Sequence, residues 1–320
     1  MSQSVFRQAV IPEELAGLRL DRAAAELWSD YSRSRIQQWI ESGELTLDGV
    51  QAQSKQRLKG GETIAIDAEL QPVLTAESEK IPLTIVYEDE HLLVIDKPAG
   101  LVVHPGAGNA RGTLMNALLH HDETLNLVPR AGLVHRLDKE TSGLLLVARN
   151  LTAQQALASM IEQRLIKRVY HAVCQTALTG GGVIEAPIDR NPKDRTRMMV
   201  RSGGRESRTH YRLLERFRAQ SYIELVLDTG RTHQIRVHMA HIRAPLIGDP
   251  VYGGRPRLPP KPSDALRLEL QSFPRQALHA RALSFAHPAD GRELQFVSPL
   301  PDDIERLLAA LRLDLEEQSA

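Results

Sequence analysis

His135-Arg136-Leu137-Asp138-Lys139-Glu140-Thr141-Ser142-Gly143 sets one carboxylate among cations in a polar loop between two apolar runs. The flanks, Ala131-Gly132-Leu133-Val134 and Leu144-Leu145-Leu146-Val147-Ala148, read as short buried strands that hold the loop at both ends. Asp138 is then a positioned carboxylate. With Arg136 and Lys139 beside it, it suits a nucleophile or a base better than a general acid. Composition alone leaves a second reading open, a loop whose charges simply face water.

Further stretches share this polar, turn-rich character. Asp96-Lys97-Pro98-Ala99-Gly100-Leu101-Val102-Val103-His104-Pro105-Gly106 lies upstream, and Gly230-Arg231-Thr232-His233-Gln234-Ile235-Arg236-Val237-His238 and Gly248-Asp249-Pro250-Val251-Tyr252-Gly253 lie downstream. In this order the four blocks resemble the motifs of the RluA-type pseudouridine synthases, with the likeness running from about residue 81 to 300. That resemblance implies an α+β fold, the pseudouridine synthase fold, with a mixed, mostly antiparallel central sheet carrying a catalytic cleft. It also implies an isomerase that converts uridine to pseudouridine in RNA.

Forty basic and forty acidic residues cancel over the 320-residue chain, but their distribution is uneven. Residues 190–243 hold thirteen Lys/Arg against five Asp/Glu, an excess of eight, whereas 264–320 hold six against ten. The basic stretch, with Arg195, Arg197, Arg201, Arg205, Arg208, Arg212, Arg216 and Arg218 spaced through it, suits a phosphate backbone or else a solvated face. Cys174 is the single cysteine, so neither an intrachain disulfide nor a thiolate metal cluster can form, which fits a reducing compartment. No apolar run approaches the roughly twenty residues needed to span a bilayer. The expectation is a cytoplasmic protein with no membrane partner.

From Gly17 to Asp67 the chain reads as two short helices followed by small strands. Leu18, Leu20, Ala24 and Leu27 form the first apolar stripe; Ser32 is the candidate N-cap of a second helix carrying Ile36, Trp39 and Ile40 and stopped by Gly43. Leu45 to Val50 looks like a strand and turn, and Gly60 to Ile66 like another strand pair. Arg19-Leu20-Asp21, Ser32-Arg33-Ser34-Arg35 and Gly60-Gly61-Glu62 resemble the S4 RNA-binding domain, which implies an RNA face made of Arg33, Arg35, Lys55, Arg57 and Lys59. The chain departs from that pattern at Asp48, where an Asn is usual. Residues 69–80 read as a linker, so the expected division is an S4-like unit and linker over 1–78 and a catalytic domain over 79–320.

Beyond it, strands are expected at 84–87, 92–95, 144–148, 169–174, 210–214 and 222–227. A helix from Thr152 to Leu165 is expected to start with a Thr152/Gln155 capping box and to bury Leu157, Met160, Ile161 and Leu165. A last helix begins at Asp302 and uses Ile304, Leu307, Leu308 and Leu311. Pro256 to Pro274 reads as a long loop. The pattern is α+β rather than alternating βα units.

For isomerising uridine a positioned carboxylate, a cation to hold it, a platform for the base and a group to take the C5 proton are sufficient in principle. The resemblance implies Asp138 as the carboxylate, Arg236 as its partner and Tyr170 as the residue that packs on the base; from the residues alone Tyr170 could equally be core. Arg136 matches the position that replaces the flipped base in the helix, a simple phosphate contact being the other reading. Thr141 and Ser142 are expected to brace the loop through side-chain bonds to backbone, and Arg231 and His233 to contact RNA.

No Gly-x-Ser-x-Gly elbow, His-Glu-x-x-His helix, dinucleotide fingerprint or Walker loop occurs. No metal, nucleotide or other cofactor is expected. The blocks Val102 to Asn109 and Gly248 to Pro256 resemble those members of the family that act on 23S rRNA. The implied substrate is the helix 69 stem-loop, in 23S rRNA or a precursor of the large ribosomal subunit. A sister synthase acting elsewhere on 23S rRNA and a non-catalytic RNA-binding assembly factor are the alternatives.

Overall fold

The computed structural model describes residues 3–28, 31, 33–70, 76–106 and 109–318. The described residues build a four-stranded N-terminal sheet with its own core cluster, a nine-stranded sheet, and a two-stranded ribbon of Ile188–Arg190 with Met198–Val200. In the N-terminal unit, strands Gln3–Val10, Thr63–Leu70, Leu45–Leu47 and Val50–Gln51 form an antiparallel sheet in that spatial order. Helices Leu20–Leu27 and Arg33–Ser42 pack on it through Leu20, Ala24, Ile36, Trp39 and Ile40, all buried. The hairpin turn puts Asp48 at φ 50° and Gly49 at φ 77°, the pair of positive angles that a two-residue turn between twisted strands needs.

Strand Gln3–Val10 is not foreshadowed by the sequence pattern. Gly60 to Ile66, expected as a strand pair, holds one strand, entered at Thr63. Glu69, assigned to the linker, is still paired with Ser4 in the sheet. Ser32, expected as an N-cap, and residues 71–75 of the expected linker lie outside the described residues.

The large sheet runs in the order Thr84–Glu88, Leu92–Lys97, Ser142–Ala148, Leu278–Ala286, Lys167–Cys174, Ser221–Leu227, Arg208–Arg216, Gly182–Glu185, with Glu293–Val297 also paired to Leu278–Ala286. It is mixed and mostly antiparallel. Its parallel pairing joins Ser142–Ala148 to Leu278–Ala286, and that junction places the loop carrying Asp138 at the sheet's centre. Every residue from Ser142 to Ala148 is buried, as expected of a strand covered on both faces.

Several expectations are corrected. Ala131 to Val134 is no strand: Pro129–Gly132 is a short helical turn with Arg130 and Ala131 at φ 56° and 51°, and Leu133 makes a single bridge to Val147. The central strand Leu278–Ala286 was missed because its polar His279, Arg281 and Ser284 disguise a buried element. The helix near 152 spans Leu151–Glu162 and is capped by Asn150, whose side chain accepts the Ala153 amide at 2.8 Å; Leu165 lies beyond it and is exposed. Pro256 to Pro274 is not all loop. Ser263 caps a helix over Asp264–Ser272 that buries Leu266 and Leu270, one helical turn apart, against the C-terminal helix Asp302–Glu317.

Gly143 shows how tightly the central junction is closed. It sits at φ 109°, and a Cβ there would lie 2.3 Å from the Ala280 carbonyl oxygen. Gly143→Ala should therefore lower the unfolding free energy by about 3 kcal/mol, from backbone strain plus displacement of the paired strand. Denaturant unfolding checks this, and a loss under about 0.5 kcal/mol would contradict the packing described.

Candidate active site

The loop from Val134 to Thr141 has little regular structure, yet its backbone is caught at consecutive carbonyls. The Asp138 carbonyl accepts the Thr141 amide at 3.0 Å, closing a turn. The Lys139 carbonyl accepts from the Gly100 amide at 2.9 Å and the Lys97 ammonium at 3.0 Å. The Glu140 carbonyl accepts from Arg275 at 3.0 Å, and Arg275 is itself forked onto Asp303 at 2.6 and 2.8 Å. Thr141 and Ser142 do brace the loop, but through other side chains: Thr141 accepts from Gln276 at 3.1 Å and Ser142 meets His279 at 3.0 Å. The expected bonds to backbone are replaced because the neighbouring central strand brings these partners within reach.

Asp138 opens onto a pocket of about 720 Å³ that Tyr170 and Arg236 also line. That size suits a small-molecule or single-nucleotide site. Arg236 divides its guanidinium between two carboxylates. Its Nε and Nη2 fork onto Asp249 at 2.7 and 2.9 Å, and Nη1 donates to Asp138 Oδ2 at 3.0 Å. Burial opposes both charges, but the fork and the amides of Val251 and Tyr252, each 2.9 Å from Asp249 Oδ1, more than offset it; the Asp249 carboxyl is held below its ordinary range and the guanidinium is pushed further up. The Tyr252 ring lies 5.1 Å from the same guanidinium. Buried on Arg236 and Asp249, the pair has little freedom to release Asp138.

The other oxygen of Asp138 faces His233 Nε2 at 3.9 Å. His233 begins helix Gln234–His241 in a left-handed conformation, and its Nδ1 lies 2.9 Å from the Tyr252 hydroxyl, which accepts the Met198 amide. The contact with Tyr252 orients the ring so that Nε2 points toward Asp138. Burial lowers the His233 pKa, which keeps the ring neutral. His135 is likewise fixed: its Nε2 accepts the Leu146 amide at 3.0 Å, and burial followed by the Arg168 charge lowers its pKa to about 3. Tyr170 is 5% exposed, and burial, then Asp138, raises the pKa of its hydroxyl against the pull of Arg168.

Seven arginines and three acidic residues line the pocket, a formal excess of four positive charges that favours a polyanionic ligand. Arg136 and Arg231 are among them; Arg136 is exposed and Arg231 donates to the Glu206 carbonyl at 3.1 Å. Much of the basic stretch is engaged elsewhere: Arg212 pairs with Glu224, Arg208 with Glu185, and Arg218 with the buried Asp314. His238 is a core histidine, buried between Thr209 at 2.8 Å and the Ala186 carbonyl at 2.9 Å. Arg33, Arg35, Lys55 and Arg57 lie in the N-terminal unit and none lines the pocket. Arg33 and Arg19 both bind the buried Asp21, Arg57 donates to the Gly17 carbonyl at 2.6 Å, and Arg35 lies 6.0 Å from the Trp39 ring.

A family model described as RNA pseudouridylate synthase matches residues 91–241. The ribosomal large subunit pseudouridine synthase D of Xanthomonas campestris pv. campestris is 54% identical over 97% of this chain and 94% of its own. The chain belongs to the RNA pseudouridylate synthase family. The namesake synthase of Escherichia coli K12 is 49% identical over 99% of this chain and 98% of its own. Among solved structures, human RNA pseudouridylate synthase domain containing 4 superposes with a TM-score of 0.56 at 30% identity, over 72% of this chain and 93% of that one.

Two groups of this pseudouridine synthase site were not singled out from the sequence. Asp249 was visible only as part of a Gly-Asp-Pro turn. Lys97, fully buried, donates to the carbonyls of Pro98, Leu101 and Lys139, and burial lowers its pKa to about 8. Between pH 8 and the ordinary lysine value the unfolded chain then binds the extra proton, so Lys97 makes stability rise with pH across that window. The difference in unfolding free energy between wild type and Lys97→Met should grow by about 3 kcal/mol from pH 8 to 10.5. Parallel pH profiles from denaturant titrations would contradict a depressed lysine.

Proposed function

We propose that this pseudouridine synthase isomerises uridines of 23S rRNA, at the helix 69 stem-loop, on a precursor of the large ribosomal subunit in the cytoplasm. The observation that carries the catalytic part is the Asp138 carboxylate held by Arg236 at the mouth of a cationic pocket walled by Tyr170. The substrate part is supported by relatives about half identical over nearly their whole length, which bear the name ribosomal large subunit pseudouridine synthase D.

In this reading a flipped uridine enters the pocket, Tyr170 packs against the base and Asp138 carries the isomerisation. Arg236 orients Asp138 from one side, and His233 limits the carboxylate's rotation from the other. Arg136, exposed two residues before Asp138, takes the place of the flipped base in the stem. Arg231 meets the flanking phosphates. Residues 1–78 form an S4-like unit that grips RNA apart from the catalytic domain over 79–320, with Lys55, Arg57 and the exposed part of Arg33 on its surface. Its core cluster, against which Leu127 and Leu151 of the catalytic domain also pack, supports that division.

Mapping pseudouridines by carbodiimide modification and reverse transcription, in cells with and without the gene, tests the substrate. Loss of the helix 69 modifications is expected; if they persist, the substrate assignment fails. In vitro on the stem-loop, Asp138→Asn should bind RNA as wild type does and form no pseudouridine, and residual turnover would refute its role. A chain starting at residue 79 should bind more weakly while keeping its turnover on the short stem-loop; equal loss of both would refute a separable RNA-binding unit.

A further inference from the structure

Strand Lys167–Cys174 begins with alternating burial, so Arg168 and Tyr170, two residues apart, share one face of the sheet about 7 Å apart. Both line the pocket. Arg168 is 4% exposed, its Nε is buried without a hydrogen-bond partner, and no ion pair engages it among the described residues. The other two buried arginines of the chain are treated differently. Arg236 and Arg275, 5% and 4% exposed, are each forked onto an aspartate. A buried guanidinium without a counter-group is costly, so its partner must come from what enters the pocket.

Gly230 gives an independent sign that this side chain's position is kept. Its φ is not positive, so backbone freedom does not explain the glycine. A Cβ there would lie 2.9 Å from Arg168 Nη1. The missing side chain is the space the guanidinium occupies.

We propose that Arg168 is a catalytic residue that donates a hydrogen bond to a carbonyl oxygen of the uracil while the base is detached from the sugar. Depth selects the base over the phosphate: Arg130, Arg136, Arg164 and Arg205 are exposed at the pocket's rim, where a backbone passes, whereas Arg168 lies inside beside Tyr170. When the bond from C1′ to N1 breaks, its electron pair stays with the uracil and spreads over N1, O2 and O4. A fixed cation at one of these oxygens stabilises that charge as it develops.

The same donor serves both halves of the reaction. Turning the base by half a revolution about its N3–C6 axis exchanges N1 with C5 and O2 with O4, so a carbonyl oxygen returns to the same place. The bond from C1′ to C5 then forms, C5 loses its proton and N1 gains one, and the product is an isomer of the substrate. No co-reactant is required.

This inference rests on the isomerase reading, and the test separates the two. Tritium release from stem-loop RNA carrying 5-tritiated uridine is measured for wild type, Arg168→Met, Arg168→Lys, Gly230→Ala and the Met/Ala double variant. Arg168→Met should lower kcat about 100-fold with KM within about threefold, and Arg168→Lys should recover part of that loss. Gly230→Ala, which keeps the charge but displaces it, should also lower kcat, and the double variant should be no slower than Arg168→Met alone. Three results would overturn the inference: kcat of Arg168→Met within threefold of wild type, a raised KM at unchanged kcat, or losses that multiply in the double variant. Absence of tritium release by wild type would instead sink the proposed substrate.

Discussion

One guanidinium shared by two carboxylates organises this site. Arg236 spends two donors on Asp249 and one on Asp138, and the order matters. Asp249 is fully enclosed and already fixed by two backbone amides, so it serves as the anchor; Asp138 faces the pocket and is the oxygen that the anchor aims. Removing one partner from such a buried pair costs about 3–5 kcal/mol, because the remaining charge is left uncompensated. The same arrangement that binds helix Gln234–His241 to the Gly248–Gly253 turn therefore also sets the reactive carboxylate.

The second constraint is on the loop itself. Irregular backbone at the centre of a sheet would leave carbonyls unpaired, and the chain meets those of Asp138, Lys139 and Glu140 with a buried cation or a near amide. Lys97 and Arg275 approach from opposite sides, one from strand Leu92–Lys97 and the other from the segment entering Leu278–Ala286. Their charges end on backbone oxygens and on Asp303, away from the pocket, while the rim arginines face it. The protein thus uses buried cations for structure and exposed cations for its polyanionic partner, with Arg168 the exception that points to chemistry.

Much of this was legible in the sequence because the relevant signals are local. Alternation and leucine spacing located most strands and the terminal helix; two of the motif blocks named Asp138 and Arg236, and the family likeness named Tyr170, before their meeting could be seen. What stayed hidden depends on contacts between distant segments. Leu278–Ala286 is central yet carries His279 and Arg281, whose polarity is satisfied by packing that no local pattern reveals. Lys97 stands beside a proline in a polar, turn-rich block, and nothing local shows that three carbonyls converge on it in the fold and that it is completely buried. The basic stretch misled in the opposite sense: several of its arginines answer nearby acids across strands rather than RNA. Leu266 and Leu270 were masked by the surrounding prolines, which bound their helix without preventing it.

The most direct test of the shared guanidinium is a double-mutant cycle on Arg236→Lys and Asp249→Asn, read as the single-turnover rate of pseudouridine formation in the stem-loop. Lysine cannot fork onto Asp249 and still reach Asp138, so either change alone should slow the reaction, and the second should add little once the first is present. Rate losses that multiply would show that Asp249 acts independently of Arg236 and would contradict the proposed anchoring of Asp138.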